Sequence, residues 1–266
     1  MNTSRHRLED QILSRQWFYE FELPGGQTTR SYLPESARSI HGCREKMLFD
    51  YLAPRIDNWQ SLSCLDLACH EGYFALKLAL KGCLNVVGID VRREHIESAE
   101  LICRIYGLKN LKFVEGDVQQ PQTSLGVFDV VLLFGILYHV HDLVRTLQNA
   151  RAVTGGVCLI ETQIAPELSG HTEWGAKEWT KKIHGCLALV DEAGDIAAQN
   201  MEAGVSSISM VPSLNGLLYL LGRVGFETFE ILEPGPDAHD QHRRGQRVMV
   251  AAFPRRSSKL DSPVKL

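Results

Sequence analysis

Apolar and polar residues alternate between residues 62 and 164 in a pattern that predicts five short β-strands separated by α-helices. Apolar runs of strand length predict strands at 63–67, 85–90, 111–115, 127–133 and 157–164. Amphipathic runs between them predict helices at 72–81, 93–106 and 142–153. Strands that alternate with helices in this way favour a parallel sheet.

The residues after 164 complete the predicted sheet and also interrupt it with an insertion. A helix-like run at 214–223 precedes two β-prone runs at 227–232 and 247–253. We therefore predict an α/β fold with a doubly wound, mostly parallel seven-stranded sheet and helices on both faces. The segment 165–210 is too long for a plain crossover. We predict that it is an insertion after the fifth strand and forms a lid near the mouth of the active site.

Residues 1–60 are predicted to form an N-terminal cap made of a helix, an aromatic hairpin and a second helix. Two β-prone runs, 17–23 and 28–33, flank Pro24-Gly25-Gly26, which is typical of a β-hairpin. Five aromatic side chains in this piece either hold the cap on the main domain or form the wall of a substrate pocket. The main domain is predicted at 61–254, followed by a polar, disordered tail at 255–266.

The turn after the first predicted sheet strand indicates a nucleotide-like cofactor. A strand that ends near Asp66 passes through a turn of small residues into a helix, which presents backbone N–H groups at the helix N-terminus. Only Gly72 remains of the usual glycines, because Ala68 and His70 stand where two others would be. A dinucleotide normally needs three glycines, since its pyrophosphate must approach the backbone closely. The bulky His70 therefore favours a cofactor without phosphate.

Three further strand ends carry side chains that suit such a cofactor. Asp90 ends the second strand and has a carboxylate that suits the two hydroxyl groups of a ribose. Asp117 follows the third strand, where it could accept a hydrogen bond from an adenine amino group. Phe134 and Gly135 follow the fourth strand, which is the most apolar in the chain. Four strand ends in this order predict S-adenosylmethionine (SAM), with S-adenosylhomocysteine (SAH) as the product. The predicted cofactor-binding residues are Asp66, Ala68, Cys69, His70, Gly72, Phe74, Asp90, Val91, Asp117, Val118, Phe134 and Gly135.

The residues just past the fourth strand are the candidates for catalysis. Tyr138, His139 and His141 follow the most apolar run in the chain and are predicted to face the transferred methyl group. His139 is our candidate general base, and the alternative is that it only packs against the next helix. The His-x-His pair and Asp142 could also ligate a metal. We predict no metal, because adjacent positions there point apart and Asp142 suits a helix N-cap.

Several motifs resemble a known family. Residues 62–164 resemble a class I, Rossmann-like SAM-dependent methyltransferase. The motifs Leu133-Phe134-Gly135-Ile136-Leu137-Tyr138-His139, Leu159-Ile160-Glu161-Thr162, Ser209-Met210-Val211-Pro212-Ser213 and Gly225-Phe226 are similar to the tRNA wobble-uridine carboxymethyltransferases and their relatives. This resemblance implies that Tyr138 and Arg247 contact a carboxylated form of SAM. With candidates from the cap and the insertion, the predicted substrate-binding residues are Tyr138, Arg247, His171, Trp174 and Tyr19.

The composition and net charge indicate a class of substrate and a cellular compartment. The net charge of −4 and a pI near 6.2 offer little attraction to nucleic acid, so we favour a small-molecule substrate over tRNA. Seven cysteines without CxxC pairs are typical of reduced thiols. The polar start lacks the apolar core of a signal peptide, and no apolar run approaches the roughly 18 residues of a membrane span. We therefore expect a cytoplasmic protein that does not enter a membrane.

These observations leave three functional hypotheses. The favoured one is a SAM-dependent methyltransferase that modifies an oxygen, nitrogen or sulfur atom of a small molecule. The second is a tRNA-modifying transferase that uses SAM or carboxy-SAM. The third is a SAM-binding regulatory or partner subunit without turnover.

Overall fold

The alternating pattern folds into one central sheet with two small pairs of strands beside it. The structure is a computed structural model that describes residues 2–173 and 177–254. In chain order the elements are α1 (Asn2–Leu13), β1 (Gln16–Trp17), β2 (Arg30–Ser31), α2 (Glu35–Leu52), β3 (Ser63–Leu67), α3 (Tyr73–Leu80), β4 (Asn85–Asp90), α4 (Arg93–Tyr106), β5 (Leu111–Glu115), β6 (Phe128–Phe134), α5 (Leu143–Ala152), β7 (Thr154–Gln163), β8 (Gly170–His171), β9 (Lys182–Ile183), β10 (Leu187–Asp191), α6 (Ala193–Ala197), β11 (Ile208–Pro212), α7 (Leu214–Val224), β12 (Thr228–Leu232), α8 (Asp240–Arg243) and β13 (Arg247–Phe253).

The central sheet confirms the predicted architecture. Its strand order is β12-β13-β7-β6-β3-β4-β5. Strands β3 to β7 are parallel, and β13 runs antiparallel to both β7 and β12. The chain starts in the middle at β3, builds outward to β5 and then returns to the other side of β3 with β6. Ligands of such sheets bind beyond the carboxyl ends of the strands at this reversal, so the topology marks the edge formed by β3, β4 and β6.

Apolar layers cover both faces of the sheet. Consecutive strand residues point to opposite faces, so Val130 and Leu132 pack with the cap, α3 and α4. Val131 and Leu133 pack with α5 and α7 on the other face. All four side chains are fully buried. Burial on both faces explains why these strands are continuous apolar runs in the sequence.

The N-terminal cap forms the predicted hairpin only next to its turn. Trp17, Tyr19, Phe21 and Leu23 are buried at every second position, as in an extended strand. Across the turn, Glu22 and Thr28 form an antiparallel bridge, the Thr29 N–H donates to the Phe21 carbonyl at 2.9 Å, and the Leu23 N–H donates to the Gln27 carbonyl at 2.7 Å. Farther from the turn the antiparallel pairing ends, and β1 pairs with β2 in parallel.

Side chains add to the backbone hydrogen bonds of this cap. The hydroxyl of Thr29 accepts a hydrogen bond from the Phe21 N–H, and the carboxylate of Glu71 accepts from the N–H groups of Phe18 and Tyr19. The buried aromatic residues belong to the same apolar cluster as α3. The division into a cap at 1–60 and a main domain at 61–254 stays a prediction.

The insertion between β7 and α7 forms two small antiparallel pairs, β8 with β9 and β10 with β11. Residues 201–205 of this segment line a cleft at the edge of the central sheet. Trp174 and the predicted tail at 255–266 lie outside the described residues. Among the helices of the described ranges, none is long and apolar enough to cross a membrane.

Gly72 and Gly88 both lie against the ring of Phe113, without room for a Cβ atom. We predict that a methyl group added at Gly88 destabilises the fold. A Cβ on Gly88 would lie 2.6 Å from the Phe113 ring and 2.8 Å from the Cys69 sulfur. The Gly88→Ala variant should lose about 1–3 kcal/mol of unfolding free energy, because the surrounding core must shift. Urea denaturation monitored by circular dichroism measures this loss.

Gly42 provides the matched control in the same chain. It lies on the exposed side of α2, and its added Cβ would meet no atom within 4 Å. Gly42→Ala should gain about 0.5–1 kcal/mol, since alanine suits a helix interior better than glycine. Equal stability of the two variants would contradict the packing described for Gly88.

Candidate active site

A cleft with about 850 Å³ of empty space opens at the carboxyl ends of the central strands. The cap, the insertion and four strand ends all contribute to its wall. The lining residues from the strand ends and the turns after them include Ala68, His70, Asp90, Val91, Asp117, Val118, Phe134 and Gly135. We call this space the strand-end cleft. It therefore brings together eight of the twelve residues that the sequence predicts for cofactor binding.

The turn after β3 keeps the backbone of a glycine-rich turn with a single glycine. Ala68, His70 and Gly72 have positive φ angles of 60°, 51° and 77°. A left-handed conformation costs a non-glycine residue roughly 1–2 kcal/mol. Two hydrogen bonds to β4 hold the turn in place. The Cys69 N–H donates to the Ile89 carbonyl at 2.7 Å, and the His70 N–H donates to Asp90 Oδ2 at 2.9 Å.

Four of the predicted cofactor-binding residues lie behind this turn rather than in the cleft wall. Asp66 is buried and accepts a hydrogen bond from the Ala75 N–H of α3 at 3.0 Å. Burial raises the pKa of its carboxyl to about 7. Cys69 and Phe74 are buried in the core, and Gly72 begins α3 beneath Phe113. These four residues support the turn, and their contact with a cofactor stays a prediction.

Asp90 is the buried carboxylate of the cleft. Its Oδ2 accepts from the His70 N–H, and its Oδ1 lies 2.9 Å from the Arg92 N–H and 3.0 Å from His95 Nδ1. Burial alone would raise the pKa of Asp90, but His95 and the N–H of Arg92 outweigh it and lower the pKa below its usual value. The carboxylate is therefore ionised at neutral pH. Asp117, also in the wall, accepts from the Gln119 N–H at 2.8 Å.

His70 connects the turn to the insertion. Its Nδ1 accepts a hydrogen bond from the Glu71 N–H at 2.9 Å, so the proton of the neutral ring lies on Nε2. Nε2 lies 3.0 Å from the carboxylate of Glu202, which also accepts from the hydroxyl of Tyr32. The ring stacks on His95 with centroids 3.7 Å apart. Residues from the turn, the insertion and the cap therefore meet over the cleft.

His139 lines the cleft and is held by a carboxylate from the insertion. Its Nδ1 lies 2.9 Å from Glu192 Oε1, and Glu192 also accepts from the Gly204 N–H at 2.5 Å. Burial lowers the pKa of His139 despite the nearby charge of Glu192. The ring is therefore neutral at neutral pH, with Nδ1–H directed at Glu192 and the other nitrogen free to accept a proton. Sequence reasoning missed Glu192, since it lies 53 residues away from His139.

The structure corrects the assignment of His141. The chain turns through a short 3₁₀ helix at Leu137–His139, and His141 then lies exposed, outside the cleft wall. Asp142 caps α5 by accepting a hydrogen bond from the Arg145 N–H at 2.9 Å, as its position predicts. Within the described ranges, no group of three or more His, Cys, Asp or Glu side chains is arranged to hold a metal ion.

A buried charge network lies next to Tyr138 and His139. Glu161 is fully buried at the end of β7, 2.8 Å from the guanidinium of Arg44 and 3.3 Å from that of Arg247. Burial would raise the pKa of Glu161, but Arg44, with His242 and Arg247, lowers it to about 2. Arg247 also donates a hydrogen bond to the Tyr138 hydroxyl at 3.1 Å.

Only part of this network reaches the cleft. Arg44 and Tyr138 line the wall, whereas Arg247 lies behind Tyr138. Sequence reasoning missed Arg44, although a signal was present. The buried face of α2 carries Ile40, Met47, Leu48 and Tyr51, and Arg44 occupies that same face four residues after Ile40.

Tyr19 and His171 are two further predicted substrate-binding residues, and only Tyr19 lies in the cleft wall. Tyr19 lines the cleft, where its ring stacks 4.8 Å from that of Tyr73. Burial raises the pKa of Tyr19, so its hydroxyl is neutral. His171 is exposed on β8 and does not line the cleft, which corrects its assignment, since the β8–β9 pair lies apart from the segment that covers the strand ends.

The strand order and this cleft are those of the SAM-dependent methyltransferase class. Residues 60–202 match the family model described as "Methyltransferase domain". The match spans more than half of the chain, and the chain belongs to this family. Members of the family use SAM as their methyl donor.

Curated relatives and solved structures agree with this assignment. The chain is 25% identical over 207 residues to a tRNA U34 carboxymethyltransferase of Alteromonas mediterranea, covering 75% of this chain and 55% of that protein. It is 32% identical over 153 residues to the protein of the same name from Desulfotalea psychrophila, covering 53% of this chain and 47% of that protein. The chain thus spans about half the length of the curated relatives it matches.

Two solved structures share the fold at low sequence identity. The N-terminal domain of EvdMO1, with SAH bound, aligns with a TM-score of 0.67 and 21% identity, over 95% of this chain and 96% of that chain. The magnesium protoporphyrin IX methyltransferase of Synechocystis, also with SAH bound, aligns with a TM-score of 0.56 and 13% identity, over 96% of each chain. At these identities the likeness concerns the fold.

Proposed function

We propose that this protein transfers the methyl group of SAM to an oxygen, nitrogen or sulfur atom of a small molecule in the strand-end cleft. The observation that carries the proposal is the His139–Glu192 pair, whose histidine lies in the wall of the same cleft as Asp90 and the turn after β3. A positioned base beside a cofactor site is the arrangement that deprotonating an acceptor requires.

The residues of the cleft suit SAM. The ionised Asp90 is positioned to accept hydrogen bonds from ribose hydroxyls, and Asp117 to accept one from the adenine amino group. The insertion residues 201–205 would cover the bound cofactor as a lid. When bound, SAM supplies an electrophilic methyl group on a sulfonium.

The protein's own contribution to the chemistry is orientation and proton removal. Glu192 holds the Nδ1–H of His139, so Nε2 is the nitrogen that accepts the proton of the acceptor group. The lowered pKa of His139 keeps this nitrogen unprotonated at neutral pH. A general base of this kind contributes about 10²–10⁴ in rate, and fixing the two reactants in line adds more.

Replacing His139 should slow turnover without removing the cofactor site. We expect His139→Ala to lower kcat by about 10²–10⁴ while SAH still binds. The assay follows SAH release against a panel of small hydroxyl, amino and thiol acceptors. In the wild type, kcat should hold down to below pH 6.5 and fall only as His139 gains a proton, because its pKa lies below the usual value.

His141→Ala is the matched control, since this exposed histidine lies two residues away and outside the cleft. It should keep wild-type turnover and the same pH profile. A His139→Ala variant with near-normal turnover would contradict the role of His139 as the base. Absence of turnover in the wild type with every acceptor, together with SAH binding, would favour a SAM-binding subunit without activity of its own.

A tRNA-modifying transferase that uses SAM or carboxy-SAM is the second candidate. The names of the curated relatives favour it, as does the cationic Arg44 in the cleft wall beside Tyr138. The net charge of −4 favours a small substrate instead. The free state of all seven cysteines suits a reducing compartment, and we propose a cytoplasmic location.

The salt dependence of tRNA binding separates the two candidates. A protein that makes 6–10 phosphate contacts loses about 10³–10⁵ in affinity between roughly 50 and 200 mM salt. For a small-molecule enzyme we expect weak binding of bulk tRNA that changes by less than about tenfold over this range. Fluorescence anisotropy with labelled bulk tRNA measures it, and a steep decrease would support the tRNA candidate instead.

A further inference from the structure

A second cluster of reactive side chains lies on α2, α8 and β7, away from the strand-end cleft. The sulfur of Cys43 lies 3.7 Å from His242 Nδ1, and His242 Nε2 lies 3.2 Å from Glu161 Oε1. Cys43, His242 and Glu161 therefore lie next to one another as nucleophile, base and carboxylate. This is the order of groups that activates a cysteine in many enzymes. We call these three residues the Cys43 triad.

The surroundings of the Cys43 triad favour a thiolate next to an imidazolium. The His239 N–H donates to the Cys43 sulfur at 3.3 Å, and the His242 side chain is only 1% exposed. Burial would raise the pKa of Cys43, but the contacts with His242 and the His239 N–H outweigh it and lower the pKa. The pKa of His242 is raised, because Cys43 and Glu161 outweigh the effect of its burial.

The triad is also reachable from solvent. Cys43 is partly exposed and lines an open cleft with about 1130 Å³ of empty space between α2, β12 and residues 233–238. Cys64, Cys69, Cys83 and Cys158 are buried, so they are not accessible to a reagent in the folded protein. Thiolate character together with access distinguishes reactive cysteines from inert ones.

We propose that Cys43 is an oxidation site at which a hydroperoxide converts the thiolate to a sulfenic acid. The sulfur attacks one peroxide oxygen, so the S–O bond forms as the O–O bond breaks. The second oxygen leaves with the bonding electron pair and takes the proton on His242 Nδ1, which gives water or an alcohol. Sulfur loses two electrons and the peroxide gains them, so the step needs no other reactant.

Competitive labelling of the full chain tests this assignment independently of methyl transfer. Folded protein is treated with a limiting amount of iodoacetamide at pH 7, and each cysteine is then quantified by mass spectrometry. Cys43 should react about tenfold faster than Cys103, which is also partly exposed but whose pKa is raised by burial. The rate at Cys43 should reach its plateau at a lower pH than the rate at Cys103, because the pKa of Cys43 is lowered and that of Cys103 is raised. With hydrogen peroxide and a dimedone trap, the sulfenic acid adduct should appear first at Cys43.

Two variants connect the reactivity to the triad. His242→Gln should lower the Cys43 rate to that of Cys103 and move its pH profile upward, while Cys43→Ser should abolish the dimedone adduct. If His242→Gln does not fold, the pH profile of Cys43 in the wild type decides, because a plateau at no lower pH than that of Cys103 overturns the proposal. Equal reactivity of Cys43 and Cys103 in folded wild-type protein also overturns it.

Discussion

The hydrogen bond from the His70 N–H to the buried carboxylate of Asp90 is the interaction on which the candidate site depends. It joins the turn after β3 to the end of β4, and it helps hold Ala68 and His70 in a backbone conformation that side chains disfavour. The same carboxylate remains ionised at the edge of the cleft. One residue therefore supports the shape of the turn and supplies the charge that a ribose would meet.

A second buried carboxylate, that of Glu161, lies behind the wall of the cleft. Glu161 would be costly to bury alone, and its two guanidinium partners, Arg44 and Arg247, allow it to stay ionised. Through Arg247 it positions Tyr138 in the cleft wall, and through His242 it reaches Cys43. A single carboxylate thus links the candidate active site to the Cys43 triad.

The sheet could be predicted closely, whereas the contacts across the cleft could not. The strands Ser63–Leu67, Asn85–Asp90 and Leu111–Glu115 have the predicted bounds. The first two are buried on both faces, which leaves continuous apolar runs in the sequence. Residues at the strand ends were also found, since topology alone brings those ends together. Glu202, which lines the cleft, and Glu192, which holds His139, were missed because both come from the insertion, where no periodicity relates sequence position to direction.

Isothermal titration calorimetry with SAH tests whether Asp90 holds the cofactor in the strand-end cleft. The folded wild type should bind one SAH per chain. Asp90→Asn should weaken binding by about tenfold or more, since a hydrogen bond to a charged group is worth roughly 1.5–3 kcal/mol. The exposed Glu97→Gln variant should bind SAH as the wild type does. Absence of SAH binding by the folded wild type, or unchanged affinity in a folded Asp90→Asn variant, would contradict a SAM site at Asp90.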